Sequence, residues 1–296
     1  AGAVRGVTAG LVREGRAAAR RAARAHDENF PVAFLLAPRD VRADMSAVYA
    51  FCRATDDLGD ELPGGADARL EALDAWEADL RDAVAGRPAE PRLVALADVI
   101  ARRGLGLDPF LRLIEANRMD QRRRRWETYE DLLHYCRHSA TPVGEMVLGV
   151  LGYRDPWRIG MSDRTCTGLQ LVNFWQDIAR DLRDRDRIYL PREDMARHGV
   201  GEDDLRRPAA TPAVRALVAQ QVARAREHLE AGAPLHRFVP RRVALDIRMF
   251  TEGGLALCDA IARQGHDTLA RRPAPGALGR ARIALAVAGR LLRGSP

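Results

Sequence analysis

Almost nothing in this 296-residue chain can build a sheet. Runs that alternate Val, Ile or Thr with polar residues are rare, and no Asn-Gly or Asp-Gly pair stands between such runs to turn a hairpin. The chain reads instead as helical segments cut by proline and glycine. The pattern predicts helices over residues 11–26, 40–59, 66–85, 92–103, 109–119, 128–137, 142–152, 163–183, 212–231, 241–263 and 277–293. The breaks fall at Leu62-Pro63-Gly64-Gly65, Gly86-Arg87-Pro88, Asp155-Pro156 and Arg272-Pro273-Ala274-Pro275-Gly276. No repeat of solenoid period is visible, and no linker is long enough to separate a pair of domains. The expectation is an all-α, single-domain chain over 1–296, opened by a basic N-terminal helix over 1–25 that can lie on a surface.

Composition narrows the class further. With 47% apolar residues the chain has material for a substantial core, and Gly 25 with Pro 16 is far from a collagen-like or low-complexity load. Lysine is absent, so all 47 basic residues are arginine, and the net charge is +6. That balance favours anionic partners, although 41 acids interleaved along the chain prevent a uniform field. The four cysteines, Cys52, Cys136, Cys166 and Cys258, form no C-x-x-C, which fits a reduced, cytoplasmic protein. There is no signal-peptide core and no apolar run of about 18–20 residues, so a soluble or peripheral protein is expected. Arg122–Arg125 could serve a nucleic acid but reads more simply as a solvated face, and no nucleic-acid partner is expected. The apolar 277–293 segment carries spread arginines and reads as a packed terminal helix before it reads as a membrane-surface one.

Two helical stripes carry the chemistry. Tyr49, Arg53, Asp56 and Asp60 stand at offsets 0, 4, 7 and 11, which return to one helical face. Gln170, Asn173, Asp177 and Asp181 stand at 0, 3, 7 and 11 on a second helix, flanked by Leu169, Leu171, Val172, Phe174, Trp175 and Ile178. Acids in so apolar a helix need a partner, and like charges one turn apart repel. A solvent face or arginine pairing would account for one such cluster. Two of them, each accompanied by an amide or an arginine, point to a divalent cation. Oxygen ligands without histidine favour Mg²⁺, which takes one or two carboxylates and completes its shell with water and phosphate. Opposed Asp pairs of this kind imply a diphosphate held between two helices. Arg183, Arg185 and Arg187 follow at once and can hold phosphate oxygens, although at least one should pair with its Asp neighbours.

These segments resemble the squalene/phytoene synthase family. The matching stretches are Tyr49-Ala-Phe-Cys-Arg-Ala-Thr-Asp-Asp-Leu-Gly-Asp-Glu, Asn173-Phe-Trp-Gln-Asp-Ile-Ala-Arg-Asp and Arg187-Ile-Tyr-Leu-Pro, in the family's order and spacing. The resemblance, which runs from about Glu28 to Leu269, implies an isoprenoid-synthase helical fold around a central apolar cavity. It implies Mg²⁺ on Asp56, Asp60, Asp177 and Asp181, and diphosphate contacts from Arg53, Asn173 and Arg187. Tyr49, Arg137 and Tyr189 become candidate catalytic residues, and Phe30, Val143, Gln170 and Phe174 candidate cavity wall.

Within the family the chain looks most like the bacterial hydroxysqualene-forming branch. Asn29-Phe30 stands where condensing synthases usually carry Ser-Phe, and Arg137-His-Ser-Ala-Thr-Pro-Val-Gly where they carry Tyr-x-Val-Ala-Gly-Thr-Val-Gly. The implied reaction is Mg²⁺-assisted ionisation of presqualene diphosphate followed by addition of one water. Arg137, His138 and Tyr49 lie in the stretches that could orient it, and no G-x-G-x-x-G follows a strand to bind a dinucleotide. The same metals would serve a synthase condensing two prenyl diphosphates, and that remains the first alternative. A basic nucleic-acid-binding protein and a catalytically silent scaffold are more distant ones. A greasy substrate and product make a peripheral membrane contact at the cytoplasmic face reasonable.

Overall fold

The computed structural model describes residues 14–15, 38–88 and 90–274. Phe30, the helix expected over 277–293 and nearly all of that over 11–26 lie outside the described residues. Helix α1 (Arg39–Asp60) ends at a turn in which Gly64 and Gly65 take φ of 108° and 84°, the left-handed region that glycine enters without penalty. Helix α2 (Gly65–Val84) follows, then α3 (Pro91–Arg103), whose first turn is capped by the Glu90 carboxylate accepting from the Arg92 amide at 3.0 Å. Next come α4 (Asp108–Arg122), α5 (Tyr129–Ser139), α6 (Thr141–Val150) and α7 (Pro156–Arg185).

Helix α7 departs from the sequence expectation, which starts it at residue 163. Asp155-Pro156 opens the helix rather than breaking it. The Asp155 carboxylate accepts from the Arg158 amide at 3.1 Å, and Pro156 occupies the first position, where no amide hydrogen is needed. Two short helices, α8 (Arg192–Arg197) and α9 (Glu202–Leu205), span too few turns to leave a periodic signal. Helix α10 (Pro212–Gly232), a 3-10 turn (Ala233–Phe238) and α11 (Arg241–Arg263) complete the order. Among the described residues the one pairing of extended backbone is an isolated bridge between Arg125 and Ile188. The all-α class holds. No described helix is long and apolar enough to cross a membrane.

The described chain falls into two compact units, one of residues up to 122 with 138–159, the other of 123–137 with 160 onward. In the first, Phe51 of α1 stacks on Trp76 at 5.8 Å and meets Phe110 edge-on at 5.3 Å. The Trp76 indole donates to Thr55 Oγ1 at 3.0 Å, so the aromatic core brings its polar handle to a partner. Asp44, fully buried, is held by Arg102 at 2.6 Å and Arg103 at 2.7 Å, which fixes α1 to the end of α3. In the second unit the fully buried Asp194 accepts from Gln221, Arg224 and Arg197 at 2.8, 2.5 and 2.8 Å, tying α8 to α10.

Helix α7 meets α10 at two glycines. A Cβ on Gly168 would lie 2.7 Å from Leu229 Cγ and 2.9 Å from the backbone of Ala225 and Leu229. A Cβ on Gly232 would lie 2.2 Å from Thr165 Oγ1. The helices therefore approach at backbone distance. Gly168→Ala should lower stability by about 1–3 kcal/mol, because the obstructing atoms include backbone. Gly160→Ala on the same helix, with no atom within 4 Å of the new methyl, should instead gain up to about 1 kcal/mol from helix propensity. Urea denaturation of both variants checks this; equal midpoints would show that the crossing is not close-packed.

Candidate active site

In the first unit the predicted stripe lies on the last three turns of α1. Tyr49 is buried, Asp56 exposed, and Asp60 is the helix's final residue. Gly59 lets α4 come close: a Cβ there would stand 2.1 Å from Asn117 Oδ1. In the space so left, Asn117 Nδ2 donates to Asp56 Oδ1 at 3.3 Å, and Gln121 Nε2 donates to the Gly59 carbonyl at 2.9 Å. Arg53 turns to the neighbouring face, pairing with Asp57 and Glu61 at 2.7 Å each. Its expected diphosphate contact therefore competes with two carboxylates. Burial, with the Asp56 charge adding to it, pushes the Cys52 thiol far up and keeps it inert.

In the second unit the stripe on α7 is more deeply set. Asp177 and Asp181 side chains are 16% and 13% exposed. Burial pushes the Asp181 carboxyl up to about 7, and the Asp177 charge one turn away pushes the same way, while Arg185, Arg180 and Arg187 oppose them. Arg185 stands 3.7 Å from Asp181. Asp177 is gripped by both arms of Arg272, at 2.5 and 3.0 Å. Arg272 also donates to Gln176 Oε1 at 2.9 Å, and Gln176 Nε2 to the Pro273 carbonyl at 2.6 Å, so the segment after α11 is clamped onto the acid turn. Asn173 is exposed and Gln170 half-buried.

The chain leaving α7 reverses at once. Asp186 takes φ of 52°, a left-handed conformation uncommon outside glycine, and Arg124 and Arg125 hold its carboxylate at 3.1 and 2.9 Å. The reversal lets the Arg187 amide donate to the Asp181 carbonyl at 3.0 Å and buries the Arg187 side chain beside the acid turn. Two residues on, the Tyr189 ring stacks on Phe174 at 3.8 Å and 9°. Tyr135 and Trp126 complete the aromatic cluster, 5.8 and 6.1 Å from Tyr189. Pro191 then caps α8.

The other residues singled out in the sequence take varied places. Arg137 is half-exposed and pairs with Glu130 at 3.0 Å, while its neighbours Tyr135 and Cys136 are the buried face of α5, so the aromatic residue the cluster draws from this helix is Tyr135. Val143, half-buried, sits in the first turn of α6. Arg183 pairs with Asp184 at 2.8 Å, the local pairing expected of at least one arginine in the run. The Arg122–Arg125 run is taken up by Glu115, Asp131, Asp186 and Glu202, with Arg123 also over the Trp126 ring. Arg272, Trp126 and Tyr135 join the site without standing in either stripe: Arg272 lies 95 residues beyond Asp177, and the two rings carry no local polar pattern.

Both stripes suit a hard divalent cation in donor type, and Asp177 already accepts a cation in bidentate fashion. Among the described residues no three His, Cys, Asp or Glu side chains stand together as a preassembled cage of the structural zinc kind.

The squalene/phytoene synthase family model matches residues 23–280. A hydroxysqualene synthase from Rhodopseudomonas palustris is 36% identical over 252 residues, covering 83% of this chain and 82% of that protein. A 15-cis-phytoene synthase from Synechococcus elongatus is 38% identical over 215 residues, 69% of each chain. Among solved structures, squalene synthase HpnC from Alicyclobacillus acidocaldarius superposes with a TM-score of 0.82 at 47% identity, over 88% of this chain and 97% of that one. The isoprenoid-synthase fold expected from the motifs is thereby borne out.

The aromatic cluster supports the acid turn, and this can be measured. Tyr189→Ala should cost about 3–5 kcal/mol in chemical denaturation, whereas Tyr189→Phe, which keeps the stacked ring, should stay within about 1 kcal/mol of the parent. Equal stability of the alanine variant would show that the ring is a bystander.

Proposed function

Since the chain belongs to the squalene/phytoene synthase family, we propose that it is a Mg²⁺-dependent isoprenoid synthase that converts presqualene diphosphate and water to hydroxysqualene and diphosphate, a step of squalene and hopanoid biosynthesis. The observation that carries the metal and diphosphate assignment is the buried Asp177–Asp181 turn, where one carboxylate is held by a guanidinium and the other has its pKa raised to about 7. Such a pair is stabilised by added positive charge. The water-terminated outcome rests on Asn29 and on the Arg137–Gly144 stretch, where residues usual in condensing synthases are replaced.

Asp56 and Asp60 on α1 and Asp177 and Asp181 on α7 are the groups that would hold Mg²⁺. When bound, the metal supplies Lewis-acid neutralisation of the departing diphosphate. The remaining chemistry belongs to the chain. Arg187 and Asn173 donate to diphosphate oxygens, and Arg272, 54% exposed, can turn from Asp177 to the same group. Arg53 of the first unit, the other expected diphosphate contact, would first have to leave Asp57 and Glu61. The C–O bond breaks to a cyclopropylcarbinyl cation. Phe174, one turn before Asp177 and backed by the stacked Tyr189 ring, would offer π-density to that cation and help exclude bulk water. One water adds to the cation, and its proton leaves on the released diphosphate. The location that fits a greasy substrate is the cytoplasmic face of a membrane, in peripheral contact.

The second reading, a synthase condensing two prenyl diphosphates, is favoured by the phytoene synthase similarity. Product analysis by gas chromatography–mass spectrometry separates the two. Presqualene diphosphate with Mg²⁺ and no NADPH should give hydroxysqualene, while farnesyl diphosphate alone should stay unconsumed. Consumption of farnesyl diphosphate would establish the condensing enzyme. Asp177→Ala and Asp56→Ala should each lower turnover by at least about 10²-fold with unchanged circular dichroism, a loss of the size seen when one transition-state-stabilising group is removed. Near-normal turnover in both would sink the metal assignment.

A further inference from the structure

The corner between the 3-10 turn and α11 carries a pocket that the chemistry above leaves unused. It has a volume of about 530 Å³ and is lined by His236, Arg237, Val239, Arg241, Ala244 and Arg248. Three of its six walls are therefore guanidinium groups. Several arginines of the same unit are matched by acids, as Arg125 is by Asp186 and Glu202 and Arg224 is by Asp194. Here, among the described residues, the one acid paired with these arginines is Glu252, 3.8 Å from Arg248. Arg237 and Arg241 are exposed and make no ion pair among the described residues.

The position is also wrong for arginine on stability grounds. Arg241 opens α11, a 23-residue helix with no acidic residue in its first turn and no side-chain cap from Pro240. The N-terminal end of a helix carries partial positive charge, which repels cations and attracts anions. Clustered arginines at that end disfavour one another until an anion sits between them. The pocket is remote from the acid turn of its own unit. Gly232, just before the 3-10 turn, seats on Met161 and Thr165, and Asp177 lies 12 residues beyond Thr165, about 18 Å along α7.

We propose that this pocket binds a phosphate-bearing anion, with Arg237, Arg241 and Arg248 donating charge-assisted hydrogen bonds to its oxygens. The anion can be the headgroup of an acidic phospholipid or a free phosphate. Phe238, 46% exposed on the adjoining turn, would enter the lipid interface in the first case. The inference stands on geometry separate from the reaction proposed above and does not need it.

The test uses the full chain in EDTA, which silences metal-dependent diphosphate binding. Titration calorimetry with inorganic phosphate reads the free anion, and co-sedimentation with phosphatidylcholine vesicles, with and without phosphatidylglycerol, reads the headgroup. Binding to either inorganic phosphate or the acidic vesicles, weakened roughly tenfold or more in R237A/R241A and largely kept in R237K/R241K, is the expected result. The probe that binds identifies the source. R237Q and R241Q singly replace the double variant if its circular dichroism changes. Turnover of detergent-dispersed presqualene diphosphate should be the same in variant and parent. No binding of either probe by the parent, or equal binding by the neutral variants, would overturn the proposal.

Discussion

Two carboxylates one helical turn apart, taken largely out of water, are the constraint around which the second unit is arranged. Desolvation and mutual repulsion act in the same direction on Asp181, which is why its carboxyl is pushed up to about 7. The surrounding structure supplies positive charge from three separate stretches of chain. Arg185 comes from the same helix, Arg187 from the reversal at Asp186, and Arg272 from beyond α11. Each needs its own support: the left-handed Asp186 is held by Arg124 and Arg125, and Arg272 is aligned by Gln176. The glycine contacts with α10 then hold the other end of α7 at a fixed depth.

The stripe on α1 is similar in sequence and different in electrostatics. Asp56 keeps contact with solvent, and its neighbour across the helix interface is a neutral amide, Asn117, admitted because Gly59 has no side chain. Arg53, on the same helix, pairs with Asp57 and Glu61. Asp56 thus meets a neutral amide across the helix interface, where Asp177 meets a guanidinium.

Much of this is legible from the chain. Helical periodicity marks the long elements, because α1, α10 and α11 each present an apolar face over five or more turns, and the same 3.6-residue period puts the acids on common faces. What escapes does so for physical reasons. Asp155-Pro156 breaks a helix when read from its left and caps one when read from its right, so periodicity alone places the start of α7 too late. Arg272 is hidden because an ion pair across 95 residues leaves no local pattern. Tyr135 stands two residues before Arg137, yet its place in the cluster with Phe174 and Tyr189 depends on which face of α5 is buried, and Arg137 occupies the other. The Arg122–Arg125 run looks like a patch because the acids that consume it come from distant segments.

Some charges in this chain stand against the dipole of the helix that carries them. Helix C-terminal ends favour cations and N-terminal ends favour anions, by about 0.3–1 kcal/mol per exposed charge. Helix α1 ends in Asp56, Asp57 and Asp60 with no basic residue in its last turn. Helix α7 carries Asp177 and Asp181 toward its C-terminal end, and α11 begins on Arg241 without an acid. At α1 and α11 these charges stand against the local dipole, whereas the last turn of α7 carries Arg183 and Arg185 as the rule prefers, and α4 and α5 begin with acids. The preference is weak, and α3 and α10 also begin without an acid in the first turn, so pairing with distant segments decides most of these ends. The acid ends coincide with the family's motifs, whereas the arginine end of α11 matches none of the motifs read from the sequence.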